Sequence, residues 1–286
     1  MLKFAANISW LYAELPLKER FEAAARDGFE AVEMLSPYAL PKAELAAMLK
    51  ANGLAMVLIN APPGGDEATS IASAWASPRR GSACLPGCEA EFRCGVAIAL
   101  DYAQALACPR VHVMAGIVPA GLAGDALRAI EPLYISNLTY AAAEAAKVGV
   151  DVLIEPINGR DIPGFFLNRQ AQAHDIVRQI GAPNLKVQMD LYHCQVAEGD
   201  VAMKLRHYLP GGKVGHLQIA GVPGRNEPDV CELNYPYLFS VLEALGYDGW
   251  IGAEYAPVRG AQPGATAEGL GWFRAAGLQQ GTSAAR

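Results

Sequence analysis

The chain has 286 residues, of which 52% are hydrophobic and 18% charged, so it carries enough apolar side chains to form a large core. This composition excludes a chain that is disordered throughout. The 23 Lys and Arg residues are outnumbered by 29 Asp and Glu residues, which gives a net charge of −6. Because this charge opposes attraction to phosphate backbones, we predict that the protein does not bind nucleic acid.

Six cysteines are present and none forms a CxxC pair, so neither a zinc ribbon nor a disulfide scaffold is predicted. Free thiols are typical of a reducing compartment, and the predicted location is therefore the cytoplasm. No segment reaches the roughly 18 to 20 apolar residues needed to cross a bilayer, so no membrane association is predicted. The sequence leaves the oligomeric state open, and a homo-oligomer is compatible with it.

Eight β-like runs alternate with amphipathic helical stretches along the chain. The predicted strands span residues 3–9, 30–35, 55–60, 110–115, 150–157, 185–192, 214–220 and 250–255. The predicted helical stretches span residues 17–28, 41–53, 89–106, 126–149, 169–181, 201–211, 235–249 and 266–280. This alternation is typical of a parallel sheet with crossover helices.

The eight units, without a Gly/Ser-rich internal linker, predict a single (β/α)8 barrel over residues 1–280. A doubly wound open sheet is the alternative arrangement. Residues 281–286 show no pattern and are predicted to be a disordered tail.

Residues 62–87 break this regularity, because they follow the third predicted strand and show no sustained periodicity. In a barrel, a loop after a strand lies on the catalytic face. Gly64 and Gly65 permit wide backbone excursions in this segment. The segment is therefore predicted to be a mobile cover over the site.

Polar residues occupy the carboxyl ends of the first three and the last four predicted strands. Those on the last four strands each offer an oxygen ligand and are separated by about one βα unit: Glu155, Asp190, Gln218 and Glu254. Three carboxylates that converge without a cation would repel one another or become protonated, whereas a divalent ion neutralises them. An oxygen-only ligand set is typical of Mg²⁺ or Mn²⁺, and the identity of the ion stays open.

Glu155 and Glu254, on the fifth and eighth strands, are positioned to flank a small substrate. A metal that binds a carbonyl and the neighbouring hydroxyl acidifies the intervening C–H, and a carboxylate then removes that proton to give an enediolate. Reprotonation at the adjacent carbon gives isomerisation, and reprotonation on the opposite face of the same carbon gives epimerisation. These residues alone leave that choice open.

Two further residues are predicted to contact the substrate. His193, three residues after Asp190, is predicted to donate a hydrogen bond to a substrate oxygen. Arg225, in the loop after the seventh strand, is predicted to bind a substrate carboxylate, because a guanidinium matches it in bidentate geometry. For His216, the alternation on its strand leaves two roles open, lining the site or filling the barrel.

The segments that carry these residues resemble the hydroxypyruvate isomerase family of xylose isomerase-like barrels, and the resemblance covers nearly the whole chain. They are LIEPINGRDIPGFFL, QMDLYHCQVAEGD, GHLQIAG, NEPDVCELNYPYLF and GWIGAEYAP. The resemblance implies interconversion of hydroxypyruvate and 2-hydroxy-3-oxopropanoate (tartronate semialdehyde) through an enediolate. It also implies Glu155 and Glu254 as the proton-transfer pair, and a metal-ligand set made of Glu155, Asp190, Gln218 and Glu254.

The departures from the family pattern affect the substrate loops. Where the family commonly reads DWxxGERG, this chain has GGDEATSIASAWASPRRG, with Arg79 at the usual Glu position.

Two alternative functions stay open. One is isomerisation or epimerisation of a longer sugar acid such as a 2-oxo-tetronate, and the other is a non-catalytic barrel that binds a sugar acid. The second predicts loss of a proton-transfer carboxylate, whereas both are present.

Overall fold

The computed structural model describes residues 2–283, with side chains described as far as residue 277. Eight parallel strands close into a barrel in chain order, as predicted for a single (β/α)8 barrel. They are β1 (Lys3–Asn7), β2 (Ala31–Met34), β3 (Ala55–Asn60), β4 (Arg110–His112), β5 (Asp151–Ile154), β6 (Leu185–Asp190), β7 (Val214–Ile219) and β8 (Trp250–Ala253).

Helices surround this barrel. They are α1 (Leu17–Arg26), α2 (Lys42–Asn52), α3 (Ala68–Ala76), α4 (Glu89–Ala105), α5 (Gly124–Arg128), α6 (Ile130–Ala146), α7 (Gln170–Ile180), α8 (Leu191–Ala197), α9 (Val201–Tyr208), α10 (Tyr235–Ala244), α11 (Ala265–Glu268) and α12 (Gly271–Ser283). A 3₁₀ turn, Leu209–Gly211, follows α9. The chain thus has a helical segment after every strand.

All eight predicted strands are present, and most of the predicted runs extend past the true strand ends. The run predicted over 150–157 is a strand only to Ile154, and the run predicted over 250–255 ends at Ala253. The apolar pattern continues because the first loop residues are buried as well. Glu155 and Glu254 therefore lie one residue beyond a strand end, where the barrel opens.

Helices α3 and α8 were not predicted. Helix α3 lies inside the irregular segment 62–87 and begins with a capping box, in which the side chains of Glu67 and Ser70 bond each other's backbone. Helix α8 begins directly after β6, and Asp190 caps it by accepting a hydrogen bond from the backbone N–H of Tyr192 at 2.8 Å. The first residues of α8 have the apolar character of the preceding strand, so the sequence does not show where β6 ends and α8 begins.

The final helix α12 runs to Ser283. The predicted tail, residues 281–286, overlaps the end of this helix, and residues 284–286 lie outside the described part of the chain. All six cysteines are free, as predicted. Among residues 2–283, no helix is both long enough and apolar enough to cross a membrane.

A layer of polar side chains fills the barrel beneath the strand ends. Glu33 Oε2 lies 2.7 Å from His216 Nε2, and Glu33 Oε1 accepts a hydrogen bond from Asn7 Nδ2 at 3.0 Å. A Cβ at Gly252 would lie 2.3 Å from Glu33 Oε2, so the glycine on β8 makes room for this carboxylate. His216 is fully buried and fills the barrel, which answers the question that the sequence left open.

Candidate active site

A cavity of about 490 Å³ opens at the carboxyl ends of the strands, where catalytic residues of such barrels lie. Its lining includes four residues that the sequence analysis singled out: Glu155, His193, Arg225 and Glu254. Glu155 and Glu254 directly follow β5 and β8, His193 lies in α8 after β6, and Arg225 lies in the loop after β7. The closed barrel brings these four elements together at one face.

Glu155, Asp190 and His193 form one compact group in this cavity and its floor. Each offers a ligand atom, and the three atoms lie within 4.8 Å of one another. Glu155 Oε1 and Asp190 Oδ2 are buried and accept no hydrogen bond from any described residue. Buried carboxylate oxygens without a partner are costly, and a divalent cation would satisfy both. These two carboxylates therefore fit a metal site.

The carboxylates of this site are held partly protonated when no cation is present. Burial raises the pKa of Glu155 well above its ordinary value, and the neighbouring Glu254 and Asp190 raise it further. Burial also raises the pKa of Asp190 to about 6. For Glu254 burial outweighs the opposing effect of Arg225, and its pKa rises to about 8. A divalent cation placed among the three would favour the ionised form of each.

Arg225 already places one positive charge beside these carboxyl groups, and it lowers the pKa values of Asp190 and Glu254 less than burial raises them. Its Nη2 lies 3.2 Å from Glu254 Oε1 and 3.5 Å from Asp190 Oδ2. Burial opposes its charged form, but Glu254, Asp190 and Glu155 outweigh this effect and raise its pKa. The guanidinium also lies 4.9 Å from the ring centre of Trp10 and 5.2 Å from that of Tyr192. Arg225 is thus fixed against the carboxylates in the absence of substrate.

The backbone of Arg225 is strained, with φ of 55°. A residue other than glycine in this left-handed region is uncommon and points to function when the surroundings hold it in place. Here the backbone N–H of Arg225 donates to Gly221 O at 2.7 Å, and its own carbonyl accepts from the N–H of Ala256 at 3.0 Å. The loop after β7 therefore directs this side chain into the cavity.

His193 is buried at the start of α8. Its Nε2 lies 3.7 Å from Asp190 Oδ2 and 3.9 Å from Glu155 Oε1. Burial, and then the charge of Arg225, lower its pKa well below its ordinary value, so the imidazole is neutral. A neutral imidazole has one N–H to donate and one lone pair. Its role as a substrate contact stays a prediction.

Gln218 lies outside the cavity lining, although it was predicted as a metal ligand. Its Nε2 donates to Glu33 Oε1 at 2.6 Å, and its Oε1 accepts from Gln188 Nε2 at 2.6 Å. The amide is thus part of the polar layer in the barrel. It stands beside Asp190 in the register of β6 and β7, and its carbonyl oxygen keeps one further lone pair. Its metal-binding role stays a prediction.

His112, at the end of β4, was missed by sequence reasoning. It lines the cavity and is 1% exposed, yet neither ring nitrogen has a hydrogen-bond partner among the described residues. Burial, and then His216, lower its pKa to about 3, and its Nδ1 lies 3.6 Å from Glu155 Oε2. A histidine flanked by apolar residues in the segment VHVMA is the one sequence signal that marks this position.

The irregular segment 62–87 reaches the cavity through Trp75 and Arg80. Arg79 does not take part, because its Nη2 lies 2.6 Å from Glu91 Oε2. The segment therefore lies on the catalytic face, as predicted. Its mobility stays a prediction.

The raised pKa of Glu254 predicts how stability varies with pH in protein stripped of metal by a chelator. Between its ordinary value of 4.5 and about 8, Glu254 holds a proton in the folded state that the unfolded chain has released. Stability is therefore lost as pH rises through this window, with a slope of at most about 1.4 kcal/mol per pH unit. The measurement is thermal unfolding between about pH 7 and about 8, above the ordinary pKa of 6.5 of the buried histidines.

The control for this pH series is Glu254→Gln, which removes one titrating group and should reduce the slope, leaving the contribution of Glu155. Added Mg²⁺ or Mn²⁺ should stabilise the wild-type protein more at about pH 8 than at about pH 7, because cation binding requires ionised carboxylates. A stability that is flat over this range in the chelated wild type would contradict the raised pKa.

The unpartnered ring of His112 predicts that His112→Leu keeps or raises the thermal unfolding midpoint. Burying an unpaired polar group costs about 1 to 3 kcal/mol, and an apolar replacement removes that cost. Because the ring faces the cavity, the same variant should lower kcat/KM roughly tenfold, as expected for one lost hydrogen bond to the substrate. His174→Leu is the control for activity, since His174 is also buried but stacks on Tyr208 away from the cavity. A marked loss of stability in His112→Leu would assign the ring a structural role.

Comparison with known proteins agrees with this geometry. Residues 21–276 match the family of xylose isomerase-like TIM barrels. A 2-oxo-tetronate isomerase from Cupriavidus necator is 54% identical over 275 residues, which cover 96% of this chain and 98% of that protein. A hydroxypyruvate isomerase from Escherichia coli is 42% identical and covers 96% of this chain and 98% of its own.

Solved structures show the same fold. A crystal structure described as an AP endonuclease of family 2 from Brucella melitensis is 45% identical, with a TM-score of 0.86 over 96% of this chain and 98% of that one. An L-ribulose 3-epimerase is 20% identical, with a TM-score of 0.72 over 100% of this chain and 97% of that one, which shows the fold alone. On this evidence the chain belongs to the xylose isomerase-like TIM barrel family and is an isomerase.

Proposed function

We propose that the protein moves a carbonyl group between carbons 2 and 3 of a short 2-oxo sugar acid, by proton transfer through an enediolate. The observation that carries the proposal is the pair Glu155 and Glu254, two buried carboxyl groups that line one cavity and have raised pKa values. Groups with such pKa values hold and release protons near neutral pH.

In the proposed reaction, one carboxylate removes the proton from C3 of hydroxypyruvate, the electron pair of that C–H bond forms the C2–C3 double bond of the enediolate, and the π pair of the C2 carbonyl moves to its oxygen. The other carboxyl group delivers a proton to C2. The hydroxyl proton passes from the oxygen on C3 to the oxygen on C2, which leaves the carbonyl on C3. The site thus needs one acid and one base, and the two buried carboxyl groups supply both.

The residues that would hold a divalent ion are Glu155, Asp190 and Glu254, with Gln218 as the predicted fourth ligand. When bound, the ion stabilises negative charge on the carbonyl and hydroxyl oxygens of the substrate. The chain itself positions the carboxylates: Asp190 Oδ1 is fixed by the backbone of α8, and Glu254 is fixed by Arg225. The carboxylates of Asp190 and Glu254 are thereby kept in place before the substrate arrives.

Two cationic side chains at the cavity favour an acidic substrate. Arg80 and Arg160 line the cavity beside Arg225. Arg160 Nη2 donates to Tyr192 Oη at 3.0 Å and to Pro223 O at 2.9 Å, which fixes its guanidinium against the loop after β7. Arginine binds carboxylates strongly because its donors match the two oxygens. This lining favours a sugar acid over a neutral sugar.

Two substrates deserve test because relatives of this chain are named for them. Hydroxypyruvate has three carbons, and a 2-oxo-tetronate has one more hydroxylated carbon beyond the reacting pair. Both have a carbonyl at C2 and a hydroxyl on C3, so one mechanism serves both. The cavity of about 490 Å³ has room for the four-carbon acid, and the relative named for that acid is 54% identical. We therefore propose the four-carbon acid as a second candidate substrate.

The experiment that tests the proposal is proton and carbon NMR of the purified protein with each acid in D₂O, with Mg²⁺ or Mn²⁺ added. We expect the carbonyl to appear at C3 and deuterium to enter at C2. The ratio of kcat/KM for the two acids identifies the preferred chain length. Absence of product and of deuterium exchange with both acids would overturn the proposal.

The proposal predicts that Glu155→Gln and Glu254→Gln each lower kcat by at least about a hundredfold. That is the low end for losing a positioned general acid or base. The measurement is the initial rate at saturating substrate and metal. The control is Glu91→Gln, since Glu91 pairs with Arg79 and lies outside the cavity lining. A near-normal rate in either variant would remove that residue from the proton transfer.

A further inference from the structure

Asn158 is buried in the loop after β5 and contacts His193 through its side chain. Its Nδ2 lies 2.6 Å from His193 Nδ1, and its exposure is 0%. At this distance one of the two groups donates a hydrogen and the other accepts it. The contact therefore determines which ring nitrogen of His193 carries the proton.

The orientation of the Asn158 amide is fixed from its other side by Asp161. Asn158 Oδ1 accepts a hydrogen bond from the backbone N–H of Asp161 at 2.9 Å, and Nδ2 donates to Asp161 Oδ2 at 3.2 Å. A flipped amide would set oxygen against carboxylate and N–H against N–H. Asp161 Oδ2 is itself held by the hydroxyl of Tyr192, which donates to it at 2.7 Å. The group that faces His193 is therefore the NH₂ donor.

His193 must accept at Nδ1, because a proton on that nitrogen would point at the hydrogen of the Asn158 amide. The ring proton is then on Nε2. This nitrogen points between Asp190 Oδ2, at 3.7 Å, and Glu155 Oε1, at 3.9 Å. An Nε2 that carries a hydrogen has no lone pair with which to bind a metal.

We propose that Asn158 is a positioning residue that keeps His193 in the Nε2–H tautomer, so that His193 donates a hydrogen bond to a substrate oxygen and is not a metal ligand. This inference rests on the proposed function only for the identity of the substrate. The inference gives Glu155, Asp190 and His193 different roles. The carboxylates of Glu155 and Asp190 would hold the cation, and the imidazole of His193 would donate to the substrate bound beside it. At many metal sites, by contrast, a neighbouring group accepts the N–H of one ring nitrogen, and the lone pair of the other nitrogen then faces the ion.

The test is long-range ¹⁵N–¹H NMR of the full chain labelled with ¹⁵N-histidine and saturated with Mg²⁺. The signals of His193 are identified by their loss in His193→Gln. We expect Nε2 to be protonated and Nδ1 to be unprotonated. A proton on Nδ1, or a metal-shifted Nε2, would overturn the inference, whether or not the protein turns over either acid.

The variant Asn158→Asp tests the role of the amide itself. A carboxylate at this position accepts from Nδ1–H, so we expect the proton of His193 to appear on Nδ1. We expect kcat to fall at least tenfold with a smaller change in KM, because the donor would be lost from the reacting oxygen. An unchanged tautomer in Asn158→Asp would contradict the assignment of Asn158.

The matched control is Asn168→Asp, in the same loop, whose side chain donates to Phe165 O at 3.3 Å and does not contact His193. We expect its His193 signals and its kcat to match those of the wild type. If Asn158→Asp fails to fold, Asn158→Ala replaces it. Because Asn158→Ala removes the hydrogen bond to Nδ1, the His193 signals should then show both tautomers. A single Nε2–H form in Asn158→Ala would also overturn the role of Asn158.

Discussion

Three carboxyl groups share a small buried volume at the mouth of the barrel, and the other features of the site follow from their repulsion. Glu155, Asp190 and Glu254 all have raised pKa values, chiefly because burial disfavours their charged forms. A closed barrel imposes this crowding, since parallel strands end at one face and direct their terminal side chains to a common axis. Such a site is stable only with protons or cations present, and a proton-transfer site needs groups that take and release protons near neutral pH.

The polar layer beneath the site keeps this arrangement rigid. Glu33 accepts from Asn7 and Gln218 and lies against His216, and Gly252 provides the space for its carboxylate. These hydrogen bonds fix the side-chain directions of the layer more narrowly than apolar contacts would. Gln218 is the link between layers, because it bonds Glu33 below and stands beside Asp190 in the sheet register. The floor of the site is therefore defined by hydrogen bonds between strands far apart in sequence.

Sequence patterns predicted the barrel because each strand is a short apolar run and each helix has regular apolar spacing. The spacing of about one βα unit between successive members of the set Glu155, Asp190, Gln218 and Glu254 also predicted that they share one face. The sequence does not show which group each buried polar side chain forms a hydrogen bond with. Gln218 bonds Glu33 from 185 residues away, and neither ring nitrogen of His112 has a hydrogen-bond partner in the part of the chain that the structure describes. Helix α3 was missed because its capping box is local and its nine residues carry few buried side chains.

Arg225 connects the charge of the site to its chemistry. When ionised, the three carboxylates would carry three negative charges, of which Arg225 offsets one, so the proposed divalent cation would offset the other two. The left-handed backbone of this arginine lies in the loop that directs its guanidinium to these carboxylates. A neutral arrangement would accept an acid without a large electrostatic penalty, and Arg80 and Arg160 at the cavity lining would attract its carboxylate. Charge balance within the site, and cationic side chains around it, together favour a small monoanion as the molecule that enters.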